Sequence, residues 1–319
     1  RFGFQNQEVD KEFWDGAISF KYRFEDPRIG RFFSVDPLSK KFNYLSPYAF
    51  SENRLISMRE LEGLETVNAT TGETVQEPFT SEEKLEATGE NKDDWQDLID
   101  YKPPHELVEA AGHRVDDFYV QDIKDAKSDN LNLDYYSVTI TKLPEGFTSA
   151  AVYLQHIRAN FSTYTNSNDI LFSTDFKGYN KNEGSNWSDP GAYGNIMTFE
   201  MKTGFFNPDD GSVMLSARET NYWIFTTVHT DLDDQHPVSG NRMFGITTNY
   251  DVAGNIESYT FFTRGADRPS GTLDKNMNMV IFEGAQHLWN DVMRNLTNEV
   301  NQSGGSASLG ISWSKRVQW

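Results

Sequence analysis

Alternation of apolar and polar residues is the first strong pattern in the chain, and it begins near residue 134. A period of two predicts a β-strand. The apolar positions are Tyr136, Val138 and Ile140. The segment 143–146 contains proline and glycine and ends the strand. A helix is then predicted from a cap at Thr148 to about Thr163. Its apolar face consists of Leu154, Ile157 and Phe161.

Six further segments of strand-like composition follow this helix. Several carry aromatic and β-branched residues at the two-residue spacing of half-buried strands. Clusters of Pro, Gly, Asn and Asp separate them and predict turns, one of them running from His236-Pro237 to Gly240. The predicted strands cover residues 168–175, 194–203, 212–219, 222–229, 242–249 and 256–264.

A long amphipathic helix is predicted over residues 278–302. Its apolar residues recur every three or four positions, which is the spacing of one helix face. Ser303-Gly304-Gly305 ends it, since glycine is favoured where a helix stops. The apolar face consists of Ile281, Ala285, Leu288, Trp289, Val292, Leu296 and Val300.

The order strand, helix, six strands, long helix predicts an α+β fold in which an antiparallel sheet packs on the C-terminal helix. This order is similar to that of the helix-grip proteins, which include START-like binders of lipids and other hydrophobic ligands. The similarity implies a cavity between sheet and helix, where ligands usually sit.

The chain before this domain divides into two parts. Residues 1–65 interleave aromatic and charged residues with Asp-Pro turns, which predicts β-hairpins. Residues 66–130 are polar and are predicted to be a linker with short helices, for example around Glu106–Ala111. The effector domain is then expected over residues 131–319.

Charge is unevenly distributed and bears on the partners. Of 48 acidic and 29 basic residues, 37 and 19 lie in residues 66–319, which gives that region a net charge of −18. Nucleic-acid affinity depends on basic surface, so no nucleic-acid partner is expected and a nuclease is disfavoured. The chain has no cysteine, which excludes thiolate chemistry and disulfides. No run of 18 apolar residues predicts a membrane-spanning helix.

The first 65 residues carry four ordered motifs, which are Phe24-Glu25-Asp26-Pro27-Arg28-Ile29-Gly30-Arg31-Phe32, Ser34-Val35-Asp36-Pro37-Leu38, Ser46-Pro47-Tyr48-Ala49-Phe50 with Asn53, and Glu60-Leu61-Glu62-Gly63-Leu64-Glu65. In this order and spacing they resemble the Rhs/YD-repeat-associated core of Bacteroidetes-type polymorphic toxins. The resemblance covers about a fifth of the chain. The first residues read as the middle of a longer polypeptide, so any targeting segment is expected upstream.

The resemblance implies a β-cage that encloses a variable C-terminal toxin, and self-cleavage at the end of the core. Carried over, Asp36 and Glu60 would be the two carboxylates and Leu64 the residue before the cut. A carboxylate pair that shares a proton can act as acid and base. The sequence departs from the family pattern, with Glu60 in place of Asp and Leu61 in place of Pro. The alternative is that residues 60–65 only mark a boundary.

The resemblance also implies a function and partners. It implies a secreted effector for competition between bacteria, delivered into a target cell by a secretion apparatus. A cognate immunity protein would protect the producer, and the acidic effector favours an immunity protein with a basic face.

Two polar clusters could carry chemistry, at 229–242 and at 263–268. His236 is the candidate general base, because a nearby carboxylate such as Asp267 can tune an imidazole near neutral pH. Arginines from both clusters could clamp an anionic group. The candidate site residues are His229, His236, Arg242, Arg264, Asp267 and Arg268.

Plainer readings of these residues stay open. The aspartates near residue 231 could solvate a tight loop, Arg264 and Asp267 could form a local ion pair, and His236-Pro237 could fix a turn. The histidine spacing does not support a metal site, and the sequence indicates no particular cofactor. The function classes are an enzyme acting on a small or lipidic substrate, and a non-enzymatic binder of hydrophobic ligands or perturber of membranes.

Overall fold

The computed structural model describes part of the chain. The described residues are 8–10, 16–20, 22–35, 48, 50–51, 58–61, 65–68, 85–165, 167–168, 173–179, 194–202, 211–232, 236–271 and 275–319. Only the backbone is described at residues 8–10, 58–61, 65–68, 167–168, 173–177, 201–202 and 275–281. The chain forms two compact units, Arg1–Glu82 and Glu83–Trp319.

The first unit is rich in short antiparallel strands where it is described. The strands are β1 Glu8–Asp10, β2 Ala17–Ser19, β3 Phe24–Asp26, β4 Arg31–Phe32, β5 Met58–Leu61 and β6 Glu65–Asn68. The first four form one sheet in chain order, and β5 pairs with β6. A small apolar cluster of Ile18, Phe20, Phe32 and Phe50 packs against the first sheet. The prediction of β-hairpins is confirmed for these strands.

The second unit begins with short elements ahead of its sheet. They are a 3-10 turn Lys92–Trp95, α1 Gln96–Asp100, α2 His105–Gly112, β7 Tyr119–Val120 and a 3-10 turn Ile123–Asp125. The helix expected around Glu106–Ala111 is therefore confirmed as α2. The linker expected over residues 66–130 is wrong for residues 83–130, because they belong to the second compact unit.

The rest of the second unit is one large antiparallel sheet with three helices. Its elements are β8 Asn130–Lys142, α3 Ala150–Ala159, α4 Phe161–Thr165, β9 Ser167–Asn168, β10 Ser173–Gly178, β11 Ile196–Lys202, β12 Gly211–Arg218, β13 Tyr222–His229, β14 Val238–Tyr250, β15 Ile256–Pro269, α5 Lys275–Gln302 and β16 Ser306–Gln318. The strand order is β16-β8-β15-β14-β13-β12-β11-β10-β9, and β7 pairs with the end of β13. The predicted fold class, α+β with an antiparallel sheet on a long C-terminal helix, is confirmed.

Both faces of this sheet are covered. The inner face carries the large apolar core, to which α3, α4 and α5 contribute residues such as Leu154, Phe161, Val292 and Leu296. Their spacing explains the burial, since residues three and four apart share a helix face. The outer face is covered by residues 85–130, whose Trp95 and Leu98 are fully buried. Because successive side chains of a strand point to opposite faces, one strand can contribute to both layers, as Leu215 and Met214 of β12 do.

Several element boundaries differ from the predictions. Ser149, and not Thr148, caps α3, because its side chain accepts from the Val152 N–H. The turn predicted from His236 to Gly240 is wrong in its second half, since β14 already begins at Val238. The strand β16 follows the long helix and was not predicted. Its residues are mostly exposed, so they lack the apolar alternation that marks a half-buried strand.

Candidate functional site

A cavity of about 90 Å³ lies between the inner face of the sheet and α5. This volume exceeds the roughly 10–15 Å³ that a single water needs. The wall contains mainly apolar residues, and charged groups lie at one part of it. The apolar residues are Phe199, Val213, Phe225, Pro237, Val238, Phe282, Ala285, Leu288 and Trp289. Three of the sequence-predicted site residues line the same cavity: His236, Arg242 and Asp267.

Arg242 is held by a carboxylate two strands away. Its Nη2 donates to both Asp134 oxygens at 2.8 Å, and its guanidinium lies 4.2 Å from the centre of the Trp289 ring. Arg242 and Asp134 are both register partners of Gly265, on the strand between them. A Cβ on Gly265 would lie 2.3 Å from Arg242 Nη2. The missing side chain thus lets the arginine cross the middle strand.

Asp267 is a second carboxylate beside this pair. Its Oδ2 lies 3.9 Å from Arg242 Nη2 and 3.4 Å from the Asn132 amide nitrogen. The same amide also contacts Asp134. Burial and the Asp134 charge raise the pKa of Asp267 to about 7, against the lowering effect of Arg242 and Asn132. A buried carboxyl next to another carboxylate is expected to shift in this direction.

His236 lies in the short segment before β14, at a different part of the cavity wall. Its backbone N–H donates to Gln121 Oε1 at 2.8 Å, and its carbonyl accepts from the same side chain at 3.0 Å. Its Nδ1 accepts from the Val238 N–H at 3.2 Å, which leaves the ring proton on Nε2. Burial lowers the pKa of His236 to about 4, so the ring is neutral at neutral pH.

Arg264 and Arg268 are not in the cavity. The sequence groups them with Asp267 in the polar cluster at 263–268, but all three lie in β15, where neighbouring residues alternate between faces. Arg264 is fully buried on the outer face, where its Nη2 donates to Asp97 Oδ2 at 2.5 Å. Arg268 donates to the carbonyls of Ser128 and Ile123. The local ion pair between Arg264 and Asp267 is therefore wrong.

The remaining candidate residues fall elsewhere. His229 stacks on Tyr119 with ring centres 4.6 Å apart, and its Nε2 lies 3.2 Å from Asp117, so it does not line the cavity. Asp36 and Leu64 lie outside the described residues, and Glu60 is described only by its backbone in β5. Within the described part of the chain, no group of three or more His, Asp or Glu is arranged to hold a metal.

Asp134, Asn132 and Tyr136 were missed as site residues. They occupy alternate positions of β8, on the parity of the apolar residues Val138 and Ile140. The sequence did contain a signal for Asp134. An acidic residue at a position that alternation predicts to be buried needs a partner, because a buried charge is costly without one. Tyr136 is 2% exposed, and its hydroxyl has no hydrogen-bond partner among the described residues.

Comparisons with known proteins identify no family. No family model matches the chain. No curated protein matches it either. Protein Ms6760 from Mycobacterium smegmatis is similar in structure at 13% identity, with a TM-score of 0.32, over 58% of this chain and 99% of that protein. Protein CV1439 from Chromobacterium violaceum is similar at 10% identity, with a TM-score of 0.26, over 50% of this chain and 98% of that protein. Likenesses this distant carry no argument about function.

Among the described residues, none of the helices combines the length and apolar character needed to span a bilayer.

Proposed function

We propose that the second unit is the effector of an Rhs-type polymorphic toxin, and that it acts on a small, largely apolar molecule held in the cavity. The motifs of residues 24–65 support the toxin class. One observation supports the site: His236, Arg242 and Asp267 line one cavity whose remaining wall is mainly apolar. Ligand sites usually combine an apolar wall with a few converging polar groups.

Asp267 is the proposed proton-transfer group. With a pKa of about 7, both its acid and its carboxylate are populated at neutral pH, which suits a general acid or base. Arg242 is proposed to hold Asp134 in place beside it. His236 is neutral and carries its proton on Nε2, so we assign it hydrogen-bond donation to a substrate oxygen in place of the general-base role expected from the sequence.

A second candidate function is a non-enzymatic binder of a hydrophobic molecule. The apolar wall favours this function. The hydrogen bonds of Arg242 to Asp134 favour it too, because they leave fewer Arg242 donors for a substrate. A nuclease fits the net charge of −18 in residues 66–319 poorly. The two candidates differ in their dependence on Asp267, because only the enzyme needs a group that exchanges a proton.

Growth of a test bacterium that expresses residues 66–319, in the cytoplasm and separately in the periplasm, tests the proposal. The wild-type sequence should arrest growth in one compartment, and Asp267→Asn should abolish the arrest. Asp93→Asn is the matched control, since Asp93 is exposed and does not line the cavity. Arrest by Asp267→Asn at equal protein level would refute the enzyme and leave the binder. Normal growth with the wild-type sequence in both compartments would refute the toxin.

Self-cleavage after Leu64, with Asp36 and Glu60 as the carboxylate pair, is a separate part of the proposal and rests on the family resemblance. Intact-mass analysis of the chain within its complete cage tests it. Two fragments that meet at Leu64–Glu65 are expected, and a single mass that persists would remove this part only.

A further inference from the structure

At the cavity, the carboxylates outnumber the cationic side chains. Arg242 is the only cationic side chain among the described residues that line it. It faces two carboxylates, Asp134 at 2.8 Å and Asp267 at 3.9 Å. Both acids are well covered, with side chains 1% and 13% exposed. One of the two carboxylates is therefore left without a cation of its own.

An anionic ligand would find no free guanidinium here. Arg242 Nη2 is shared between the two Asp134 oxygens, and its Nη1 lies 3.4 Å from the hydroxyl oxygen of Thr263. One face of the guanidinium is covered by Trp289. A carboxylate or phosphate that took Nη2 would displace Asp134 and leave that acid buried and unpaired at a large cost. The arrangement selects against anions.

The rest of the wall suits a positive charge. Three phenylalanines, Phe199, Phe225 and Phe282, line the cavity together with Trp289. The face of an aromatic ring attracts a cation, and this attraction strengthens when water is excluded. His236 adds no competing charge, because its ring is neutral at neutral pH.

We infer that the cavity binds a small organic cation, an alkyl- or arylammonium, with its ammonium group on Asp267 and its hydrocarbon part against the aromatic and aliphatic wall. The inference rests on the proposed function in that it names the substrate class of the same site. The ammonium supplies the missing positive charge beside the two carboxylates. A cavity of about 90 Å³ has room for the hydrocarbon part of a small molecule.

Three ligands of matched shape distinguish the possible charges: cyclohexylamine, cyclohexanol and cyclohexanecarboxylate. Their binding to the full 319-residue chain is measured by isothermal titration calorimetry. At about pH 8 the amine is a cation and Asp267 is ionised, since its pKa is about 7. The amine should bind about tenfold more tightly than the alcohol, and the carboxylate should not bind.

Variants assign this preference to the acid. Asp267→Asn should remove the preference for the amine over cyclohexanol, and Asp267→Ser should do the same. Asp93→Asn should bind the amine like the wild-type chain. The inference is overturned if the carboxylate binds best, if amine and alcohol bind equally, if none of the three binds, or if the preference survives both Asp267 variants.

The substrate class and the proposed function can fail separately. Absence of an amine preference, with growth arrest that still depends on Asp267, refutes the ammonium ligand and keeps the effector site. If the amine binds through Asp267 but Asp267→Asn still arrests growth, the enzyme is refuted and the cation-binding site stands.

Discussion

At the scale of single residues, Asp267 is held in a form that costs stability. Its pKa is about 7 in the folded chain against an ordinary value of 3.8, because burial and Asp134 disfavour its charge. Between these two values the folded state binds a proton that the unfolded state does not. The stability of the fold therefore falls as pH rises through this window. Functional groups are often kept at such a cost.

Asp267→Asn removes this cost, so the variant should gain stability over the wild-type chain as pH rises. The difference in unfolding free energy should be small near pH 4 and should level off above about pH 7, with about 1.4 kcal/mol for each unit of pKa difference. Urea denaturation at several pH values measures it. His236 contributes the opposite slope below its ordinary value of 6.5, but it is present in both proteins and cancels. Parallel stability curves would contradict the raised pKa.

Gly265 is the second residue on which the site depends. A Cβ there would lie 2.3 Å from Arg242 Nη2 and 2.9 Å from Asp134 Oδ1, so Gly265→Ala should separate this pair. Overpacking a buried site costs about 1–3 kcal/mol, and a loss of that order is expected in denaturant unfolding. Gly112→Ala is the control, since its Cβ meets only Phe118 at an ordinary 3.7 Å. Equal stability of the two variants would show that Arg242 does not need this space.

At the scale of elements, residues 85–130 form the outer layer of the sheet. Asp97 pairs with Arg264, and the Asn241 amide donates to the carbonyls of Leu98 and Tyr101. Gln121 from the same layer holds the backbone of His236. The outer layer therefore fixes a residue that lines the cavity on the inner side.

A chain that begins at residue 131, the boundary predicted from the sequence, should not reach the stability of one that begins at residue 83. It lacks the layer that buries Ile196, Met214 and Val228 of the sheet, and burial of one such side chain contributes about 1.5–3 kcal/mol out of a typical total of about 5–15 kcal/mol. Thermal unfolding followed by circular dichroism compares the two. A shorter chain with an unchanged midpoint would show that the outer layer is dispensable.

The sequence predicts the helices and strands better than it predicts which residues contact one another. The period-two strand at Val138 and Ile140 and the helix face through Leu296 were readable because each is amphipathic. The segment 85–130 looked like a linker, since its few apolar residues, such as Trp95 and Leu98, show no long period. β16 was missed because an exposed edge strand has no apolar face. Arg264 and Asp267 were grouped because they are close in sequence, but strand alternation separates them.

At the scale of the whole molecule, both the net charge of −18 in residues 66–319 and the cavity favour a small-molecule ligand over a nucleic acid. For the proposed effector, a net charge of −18 is expected to weaken binding to phosphate polymers. An immunity protein for the proposed effector is expected to have a basic face, since complementary charge speeds association. The cavity beside α5 is a place where a small molecule can meet the buried charges of Arg242 and Asp267.

Filling that cavity tests the central claim most directly. Ala285→Leu adds three carbons to a lining residue of α5 without changing charge, and Ala110→Leu makes the same change at an exposed position of α2. Both variants are expressed as residues 66–319 at equal level in the compartment where the wild-type sequence arrests growth. Overpacking costs about 1–3 kcal/mol, so thermal unfolding confirms that each variant is folded. We predict that Ala110→Leu arrests growth and folded Ala285→Leu does not. Full arrest by Ala285→Leu would contradict the claim that the effector acts through this cavity.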